Sequence, residues 1–266
     1  MFKKRVLHST RRVKKRRQEL LHKILIVFSC VLIIFFSLVY ISQSEFFLIK
    51  KITVLGNTAV SSSEIENLIF KEMEGKYLGL FPHSHILLYP KKTIEQKILS
   101  SFLWVLDVRA RVAGKDSIVI RIKEREPQAL WCDKKEEAKE KCYFLDDRGF
   151  IFTLAPSFSS DMYIRYYGAI VGEPLGSLFL SPKFFQIISF VNLLKTRELE
   201  PLRVTIDENG DGKAVLKKGE ILFDSDDDLL ASFQNLDSFL RENEKKFVTH
   251  PFEYIDLRFG NKIFYK

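Results

Sequence analysis

An uncharged apolar run near the N-terminus limits most strongly what this chain can fold into. Residues 24–41 read ILIVFSCVLIIFFSLVYI, which is 18 residues without a charge. As a helix rising about 1.5 Å per residue, the run would extend roughly 27 Å, close to a hydrocarbon core of about 30 Å. It therefore predicts a transmembrane helix over residues 24–44, with residues 42–44 extending into the interface.

The basic residues of the chain are concentrated before this run. Ten of the 42 Lys and Arg residues lie in residues 1–23, beside one acidic residue, Glu19. Without them the chain keeps 32 basic and 33 acidic residues, so the net charge of +8 belongs to the tail. Positive residues beside a span stay on the cytoplasmic side. Residues 1–23 are therefore predicted to be a basic cytoplasmic tail, with all residues after the span outside.

A cleaved signal peptide is the alternative interpretation, because it also combines a basic start with an apolar middle. The apolar part of such a signal is usually about 7 to 15 residues long and ends at a small-residue cleavage site. The run here is longer, and residues 40–44 (YISQS) match that site poorly. We therefore expect an uncleaved, single-pass anchor in the cytoplasmic (inner) membrane.

Residues 46–126 follow the pattern strand, helix, helix, strand, strand. The β-branched stretch before Gly56 predicts a first strand. Ser61 stands three residues before a glutamate, which predicts the start of a helix, and Pro90 is suited to the first turn of a second helix. Residues 105–112 and 117–124 complete a β-α-α-β-β domain.

Beyond Pro127 the pattern changes to short strands that end at Gly, Asp or Asn residues. Two stretches with helical spacing interrupt them, at residues 182–197 and 226–245, the first opened by Ser181-Pro182 as cap and first helical residue. Residues 127–266 are therefore predicted to form a β-rich domain, and the whole chain an α+β fold behind one transmembrane helix. The predicted strands are residues 128–132, 142–146, 150–154, 163–167, 202–206, 212–216, 219–223, 252–259 and 262–265.

Two of the three cysteines lie in the part predicted to be outside. Cys132 and Cys142 flank a charged stretch that is typical of a hairpin tip, so they could face each other across paired strands. An oxidising compartment allows a disulfide there. Two unpaired buried thiols are the alternative, and the spacing, without a nearby histidine, is not a metal-binding pattern.

Sequence patterns that would indicate metal binding are incomplete. Residues 207–212 (DENGDG) fit the opening of an EF-hand loop, but Lys218 stands at the twelfth position, where calcium requires a bidentate glutamate. A hairpin turn is the better interpretation. The pair His83 and His85 has no acidic or cysteine cluster with ligand spacing, and we expect it in an exposed loop. We therefore expect neither a metal nor a cofactor.

Carboxylates that could serve catalysis have simpler explanations. The acidic residues at positions 224 and 226–228 precede a predicted helix and fit the roles of cap and dipole partner. Asp256 and Arg258 are two apart in a strand, so they share a face and suit a structural ion pair or cross-strand contacts. No phosphate-binding glycine loop or nucleophile motif is present in the sequence. We expect no enzyme and no small-molecule substrate.

Four segments, in order, resemble the FtsQ/DivIB family of bacterial division proteins. A strand ending in a glycine turn resembles the start of the family's POTRA (polypeptide-transport-associated) domain, and three further segments resemble a Glu-Arg-x-Pro-x-Ala-x-Trp stretch, an Asp-x-x-Gly-x-x-Phe hairpin and a closing Tyr-x-Asp-Leu-Arg-Tyr strand. In the same order, the four segments of this chain are residues 52–57 (ITVLGN), residues 124–131 with Glu124, Arg125, Pro127, Ala129 and Trp131, residues 146–152 (DDRGFIF) and residues 254–259 (YIDLRF).

The resemblance implies a non-enzymatic scaffold of the divisome at the division septum. It implies FtsB- and FtsL-type partners, bound largely through the last strands of the β-rich domain, and links between early and late division proteins. A terminal strand can accept a partner strand along its edge. The partner-binding residues expected on this basis are Phe259, Gly260, Asn261, Lys262, Ile263, Phe264 and Tyr265. Core packing is the alternative role for their aromatic side chains.

Three other functional classes compete with this one. A membrane-anchored envelope enzyme or sensor would bind a small ligand or turn over cell-wall fragments. A POTRA-type transport component would usually carry several such modules and a membrane β-barrel. Nucleic-acid binding by the tail would have to exceed its attraction to anionic lipid, which together with topology already explains the basic cluster. We expect none of the three.

Overall fold

The computed structural model describes residues 10–133, 140–157, 162–244, 247 and 252–266. The helices are α1 (Thr10–Ser42), α2 (Ser62–Glu72), α3 (Lys91–Ser101), α4 (Phe184–Lys195) and α5 (Leu229–Glu242), with a short 3₁₀ turn at Glu45–Phe47. The strands are β1 (Lys51–Leu55), β2 (Lys76–Tyr77), β3 (Phe81–Pro82), β4 (Val105–Val112), β5 (Ser117–Glu124), β6 (Ala129–Cys132), β7 (Cys142–Leu145), β8 (Ile151–Leu154), β9 (Arg165–Tyr167), β10 (Pro201–Ile206), β11 (Asp211–Leu216), β12 (Glu220–Asp224), β13 (Tyr254–Phe259) and β14 (Lys262–Tyr265). The α+β class is confirmed.

Helix α1 is long and apolar enough to cross a membrane. Its 33 residues include the whole uncharged run, and the helix begins within the basic tail. Only 6% of its most apolar window is buried against other parts of the protein, so these side chains do not belong to a protein core. In water such exposure would be unfavourable, whereas in a bilayer it is the expected arrangement.

The described chain divides into two compact units. Unit 1 contains the residues up to Ser101 together with Asp107–Lys123, and unit 2 contains Phe102–Leu106 together with the residues from Glu124 onward. These units are defined by internal contacts. The two predicted domains, residues 46–126 and 127–266, are expected to fold independently. Internal contacts do not measure independent folding, so these domains remain a prediction.

In unit 1, two helices are associated with a three-stranded sheet of order β1-β5-β4, in which β1 and β5 are parallel. Isoleucines four residues apart give each helix a buried stripe, because that spacing returns to the same side of a helix. These are Ile65 and Ile69 of α2 and Ile94 and Ile98 of α3. The predicted β-α-α-β-β order is present, with one addition, a hairpin of β2 and β3 between the two helices.

Unit 2 is built on a nine-stranded sheet of order β14-β13-β12-β11-β10-β9-β6-β7-β8. Helices α4 and α5 contact each other, and their apolar side chains join those of the central strands in the main core. Along β11, Gly212 and Ala214 are buried and Asp211 and Lys213 are exposed, which is the alternation of a sheet covered on one face. The strands at the two ends of the order, β14 and β8, are therefore the sheet edges.

Both helix starts in unit 2 differ from the prediction. Helix α4 begins at Phe184 and follows Lys183, so Ser181-Pro182 is neither its cap nor its first residue. Helix α5 begins at Leu229 because Asp228 caps it, accepting hydrogen bonds from the backbone N–H groups of Leu230 and Ala231. The predicted end of this helix at Lys245 lies outside the described residues.

Cys132 and Cys142 are register partners in the antiparallel pair β6–β7, and a disulfide joins them. Their Cα atoms lie 4.1 Å apart, as expected for side chains directly opposite each other in a non-hydrogen-bonded pair. The charged hairpin tip predicted between them falls largely on residues 134–139, outside the described residues. Cys30, in α1, is a free cysteine.

We predict that replacing both Cys132 and Cys142 by serine lowers the free energy of unfolding by roughly 2–3 kcal/mol, because the bridge closes a loop of about ten residues in the unfolded chain. Urea unfolding of the full chain in detergent micelles, followed by tryptophan fluorescence, measures the change. Cys30→Ser is the matched control and should unfold as the wild type does. Equal midpoints for the double variant and the control would contradict the prediction.

Candidate functional site

The predicted partner-binding residues form the last hairpin of the chain. Phe259 ends β13, Gly260 and Asn261 make the turn, and Lys262 begins β14 opposite Phe259. Gly260 has a φ of +65°, a backbone conformation that residues other than glycine rarely adopt. Glycine is therefore well suited to this position of the turn. The hairpin lies at one edge of the nine-stranded sheet.

One side of β14 pairs with β13, and the other side is the sheet edge. Tyr254 and Lys266 exchange backbone hydrogen bonds, with the N–H of Lys266 donating to the Tyr254 carbonyl at 3.2 Å. Because inward and outward groups alternate in an antiparallel pair, the backbone of Ile263 points away from β13. Within the described residues, no further strand stands beyond β14.

The aromatic residues of the hairpin lie on both faces of the sheet. The rings of Phe259 and Phe264 meet edge to face, with centroids 5.1 Å apart, and both side chains are about half exposed. Two exposed phenylalanines in contact form a small apolar patch on the face opposite the helices. Such a patch beside an open edge is suited to contact with another protein.

The two remaining apolar residues face the helical layer. Ile263 is partly buried against the main core, and the ring of Tyr265 lies 5.0 Å from that of Phe239 and 5.8 Å from that of Phe247. Core packing therefore accounts for Ile263 and partly for Tyr265, and it does not account for Phe259 or Phe264. Phe239 and Phe247 were not predicted as part of this region, although the apolar stripe of α5 contained the signal for Phe239.

A buried carboxylate fixes the strand that supports the hairpin. Asp256 is 5% exposed and accepts three hydrogen bonds from Arg258: one from its backbone N–H and two from its guanidinium, at 3.0 and 2.8 Å. The guanidinium also reaches Asp211 of β11, at 3.2 Å. The predicted ion pair is present, and it extends across β12 to a residue whose sequence pattern predicted only a turn before β11.

These contacts shift the acidity of both groups. The hydrogen bond from Arg258 holds the pKa of Asp256 below its ordinary value of 3.8, against the opposing effect of burial. The same bond, assisted by Asp211, raises the pKa of Arg258. Both groups are therefore charged at neutral pH, and the cluster resembles a structural clamp more than an acid or a base.

Two of the four segments that resemble FtsQ/DivIB proteins are in contact in unit 2, through Arg125 of one and Asp146 of the other. Asp146 is buried and accepts hydrogen bonds from the guanidinium of Arg125, at 2.5 Å, and from the backbone N–H groups of Arg148 and Phe150. Arg125 also lies over the ring of Phe150, 4.0 Å from its centroid. A buried charge pair of this kind keeps its partners fixed because losing either leaves the other unpaired.

The other sequence candidates occupy structural positions. Asp207 accepts hydrogen bonds from the backbone N–H groups of Asn209 and Asp211, which is an Asx turn between β10 and β11. The expectation that both histidines of the pair lie in an exposed loop was wrong for His85. That residue is buried against the ring of Phe47, and burial lowers the pKa of its imidazole.

Two buried tyrosines of β9 have raised pKa values. Burial raises the pKa of Tyr166. Burial and a hydrogen bond to Glu140 raise the pKa of Tyr167 to about 12. Both phenols are therefore protonated at neutral pH. Glu140 also lies close to the sulfurs of Cys132 and Cys142, but disulfide sulfurs are not the thiolates that metals bind.

A cleft of about 810 Å³ lies in unit 2, between the end of α5 and the β11–β12 turn. The charges on its wall are largely paired with one another: Asp237 with Arg197 and with Arg241, and Glu200 with Lys217. Paired charges leave little field to bind an ionic ligand. The terminal hairpin is therefore the stronger candidate for a binding site.

We predict that Asp256→Asn lowers the free energy of unfolding by about 1–3 kcal/mol at pH 7, because Arg258 loses a charged acceptor. The folded-state pKa of Asp256 is depressed, so its contribution is complete above pH 3.8 and is lost as the pH falls through the folded-state value. The variant should therefore lose less stability than the wild type on acidification. Urea midpoints from pH 7 to pH 3 measure both effects.

The matched control is Asp147→Asn, at an exposed carboxylate in the β7–β8 turn. It should leave both the midpoint at pH 7 and the acid dependence close to those of the wild type. An Asp256→Asn curve parallel to the wild-type curve would show that the clamp contributes nothing through its charge.

The sequence matches none of the family models and none of the curated proteins with which it was compared. The function proposed for this chain therefore rests on its own residues, their geometry and the resemblance of its four motif segments to FtsQ/DivIB proteins.

Proposed function

We propose that this chain is a non-catalytic, single-pass membrane protein of the FtsQ/DivIB kind. It acts as a scaffold of the bacterial divisome at the division septum and binds FtsB- and FtsL-type partners through strand β14. One observation carries the proposal: β14 is a sheet edge flanked by the exposed pair Phe259 and Phe264.

The edge supports recognition by strand addition. A partner segment laid along β14 would form backbone hydrogen bonds with outward groups such as those of Ile263, and backbone bonds of this kind supply affinity. Side chains then supply selectivity, because alternate residues of the added strand meet opposite faces of the sheet. On one face they would meet the Phe259–Phe264 patch, and on the other the ring of Tyr265.

The clamp beneath the hairpin suits this role. Strand addition costs more conformational entropy when the edge is mobile, because the edge must then be ordered as well. Arg258 is hydrogen-bonded to Asp256 in its own strand and reaches Asp211 two strands away, so the strand supporting β14 is tied to the sheet by charge-assisted bonds. The edge is therefore presented in a fixed conformation.

The motif contacts support the family resemblance. Arg125 and Asp146 belong to two of the four segments that resemble FtsQ/DivIB proteins, and they form a buried ion pair with Phe150 beside it. Residues that contact each other this closely have a physical reason to occur together. The first strand and its glycine turn suit the POTRA comparison, because a side chain at Gly56 would collide with the Ile122 carbonyl.

Anchoring helps a scaffold of this kind. Helix α1 would hold the outside part at the membrane, where the FtsB- and FtsL-type partners are also expected. Confinement raises the effective concentration of each for the other, so a modest edge interface is sufficient for capture.

We predict that Ile263→Pro abolishes partner capture because proline removes the outward N–H and cannot extend a ladder. Ile263→Ala is the matched control, since it loses the same core contact and keeps the N–H. With the full chains in nanodiscs, purified FtsB- and FtsL-type partners should bind the proline variant at least roughly ten-fold more weakly than the alanine variant. Tryptophan fluorescence should show that both variants remain folded; equal binding by folded variants would exclude strand addition at β14.

We also predict that the full chain, fused to a fluorescent protein, accumulates at the division septum and co-precipitates these partners. A chain without residues 259–266 should remain in the membrane fraction and lose the partners, because strand β14 and the Phe259–Phe264 patch are gone. Partner capture by the truncated chain would place the site elsewhere. Uniform membrane fluorescence of the full chain throughout division would contradict the divisome role.

A further inference from the structure

One stripe of α1 is less exposed than the rest of the helix and is buried at its C-terminal end. Leu32 and Phe35 are 38% and 39% exposed, whereas their neighbours Ile33 and Phe36 are 66% and 62% exposed. Val39 and Ser42 continue the stripe and are buried. The spacing of three, four and three residues places all four on the same side of the helix.

The β2–β3 hairpin of unit 1 contacts this end of the helix. The ring of Phe81 meets the ring of Phe35 edge to face, with centroids 6.3 Å apart. The side-chain amide of Gln43 donates to the carbonyl of Leu80 at 3.2 Å. Strand β3 and α1 are therefore in direct contact.

These contacts fix the depth of the hairpin relative to a bilayer. Phe35 lies six residues before the end of the uncharged run at Ile41, which is about 9 Å along the helix axis. The run is only just long enough to span, and Lys23 bounds its other end, so the helix cannot slide far outward. A ring that touches Phe35 must then lie beside the outer half of the hydrocarbon.

The tip of the hairpin exposes a leucine in an unusual conformation. Leu78 is 92% exposed and has a φ of +52°, a region that residues with a Cβ rarely adopt. In water, both the strained backbone and the exposed apolar side chain would raise the free energy of the folded state. Buried in lipid, the side chain would gain the transfer free energy of a large apolar group, which opposes the cost of the strain.

The backbone of the hairpin can tolerate an interfacial position. The N–H of Leu80 donates to the Tyr77 carbonyl at 3.0 Å, the N–H of Gly79 to the Lys76 carbonyl at 3.4 Å, and the Leu80 carbonyl accepts from Gln43. Polar backbone groups at this depth are costly unless they are satisfied within the protein. These bonds pair the N–H groups of Gly79 and Leu80 and the carbonyls of Lys76, Tyr77 and Leu80.

Basic residues stand at both ends of the segment that contains the hairpin. Lys76 begins β2, and Lys91 and Lys92 begin α3, all three exposed. Lysines near a lipid surface can keep their stems among the acyl chains while their ammonium groups reach anionic phosphates. Lys76, two residues before Leu78, is therefore the basic side chain of the hairpin that could reach an anionic leaflet.

We propose that the β2–β3 hairpin inserts Leu78 into the outer leaflet of the membrane and gives unit 1 a second lipid contact beside α1. The proposal rests on the membrane anchor of the proposed function and goes beyond it, because it assigns a lipid-binding site outside the span. With two contacts, the tilt of unit 1 relative to the bilayer is limited.

The test uses the full chain in vesicles of phosphatidylethanolamine and phosphatidylglycerol, without any partner. Cys30→Ser removes the free thiol, and single cysteines at Leu78, Leu55 and Phe36 then carry an NBD fluorophore. Leu55 is the matched control, an exposed apolar residue at the end of β1. Phe36 reports on the span itself.

Lipids brominated near the glycerol should quench the Leu78 label by about two-fold or more and leave the Leu55 label nearly unchanged. The Phe36 label should be quenched by lipids brominated deep in the chains. Quenching at Phe36 without quenching at Leu78 would overturn the hairpin proposal and leave the anchor intact. Quenching at neither would overturn the anchor, and the hairpin proposal with it. If Leu78 became shielded only after FtsB- and FtsL-type chains were added, the occupant would be a protein and the proposal would be wrong.

Discussion

A segment in lipid must satisfy its own backbone hydrogen bonds, and the proposed role of this chain depends on that constraint. Residues 24–41 carry no charge, and a helix is the one way in which a single segment of that length could cross hydrocarbon with its amides paired. Ten basic residues before the run then bias its orientation. Residues 42–266 are nearly neutral in total, so their interactions must depend on shape, backbone edges and local contacts more than on net charge.

The sheet of unit 2 shows how an edge arises from packing. Two helices cover one face of the sheet along β11, and the burial alternation of that strand follows from this cover. At Gly212 a side chain would collide with the ring of Phe223, so glycine is needed for that ring to lie flat in the core. A sheet that is open at both ends of its order leaves β8 and β14 as edges. The loop of residues 174–179 bonds to β8, with the N–H of Ile151 donating to the Ser177 carbonyl. Beyond β14 the described part of the chain contains no further strand, which is why β14 is the edge suited to recognition.

Much of this could be predicted from the sequence because the signals are local. The span, the strands of alternating or β-branched residues and the cysteine pair depend on residues that are close together in the chain. The β2–β3 hairpin was missed because its strands have two residues each, too few for a period to appear. The reach of Arg258 to Asp211 was missed because it joins residues far apart in sequence. The separation of Phe259 and Phe264 from Ile263 and Tyr265 onto opposite faces was also unpredicted, since a register shift between Asp256 and Phe259 interrupts the alternation.

Amide hydrogen exchange at β14 tests the central claim most directly. With the full chain in nanodiscs, peptides covering residues 259–266 are compared before and after saturation with the FtsB- and FtsL-type partners. Strand addition predicts that exchange in this segment slows by about ten-fold or more, since outward amides become hydrogen-bonded. Saturated binding with unchanged exchange at β14 and new protection elsewhere would contradict the account.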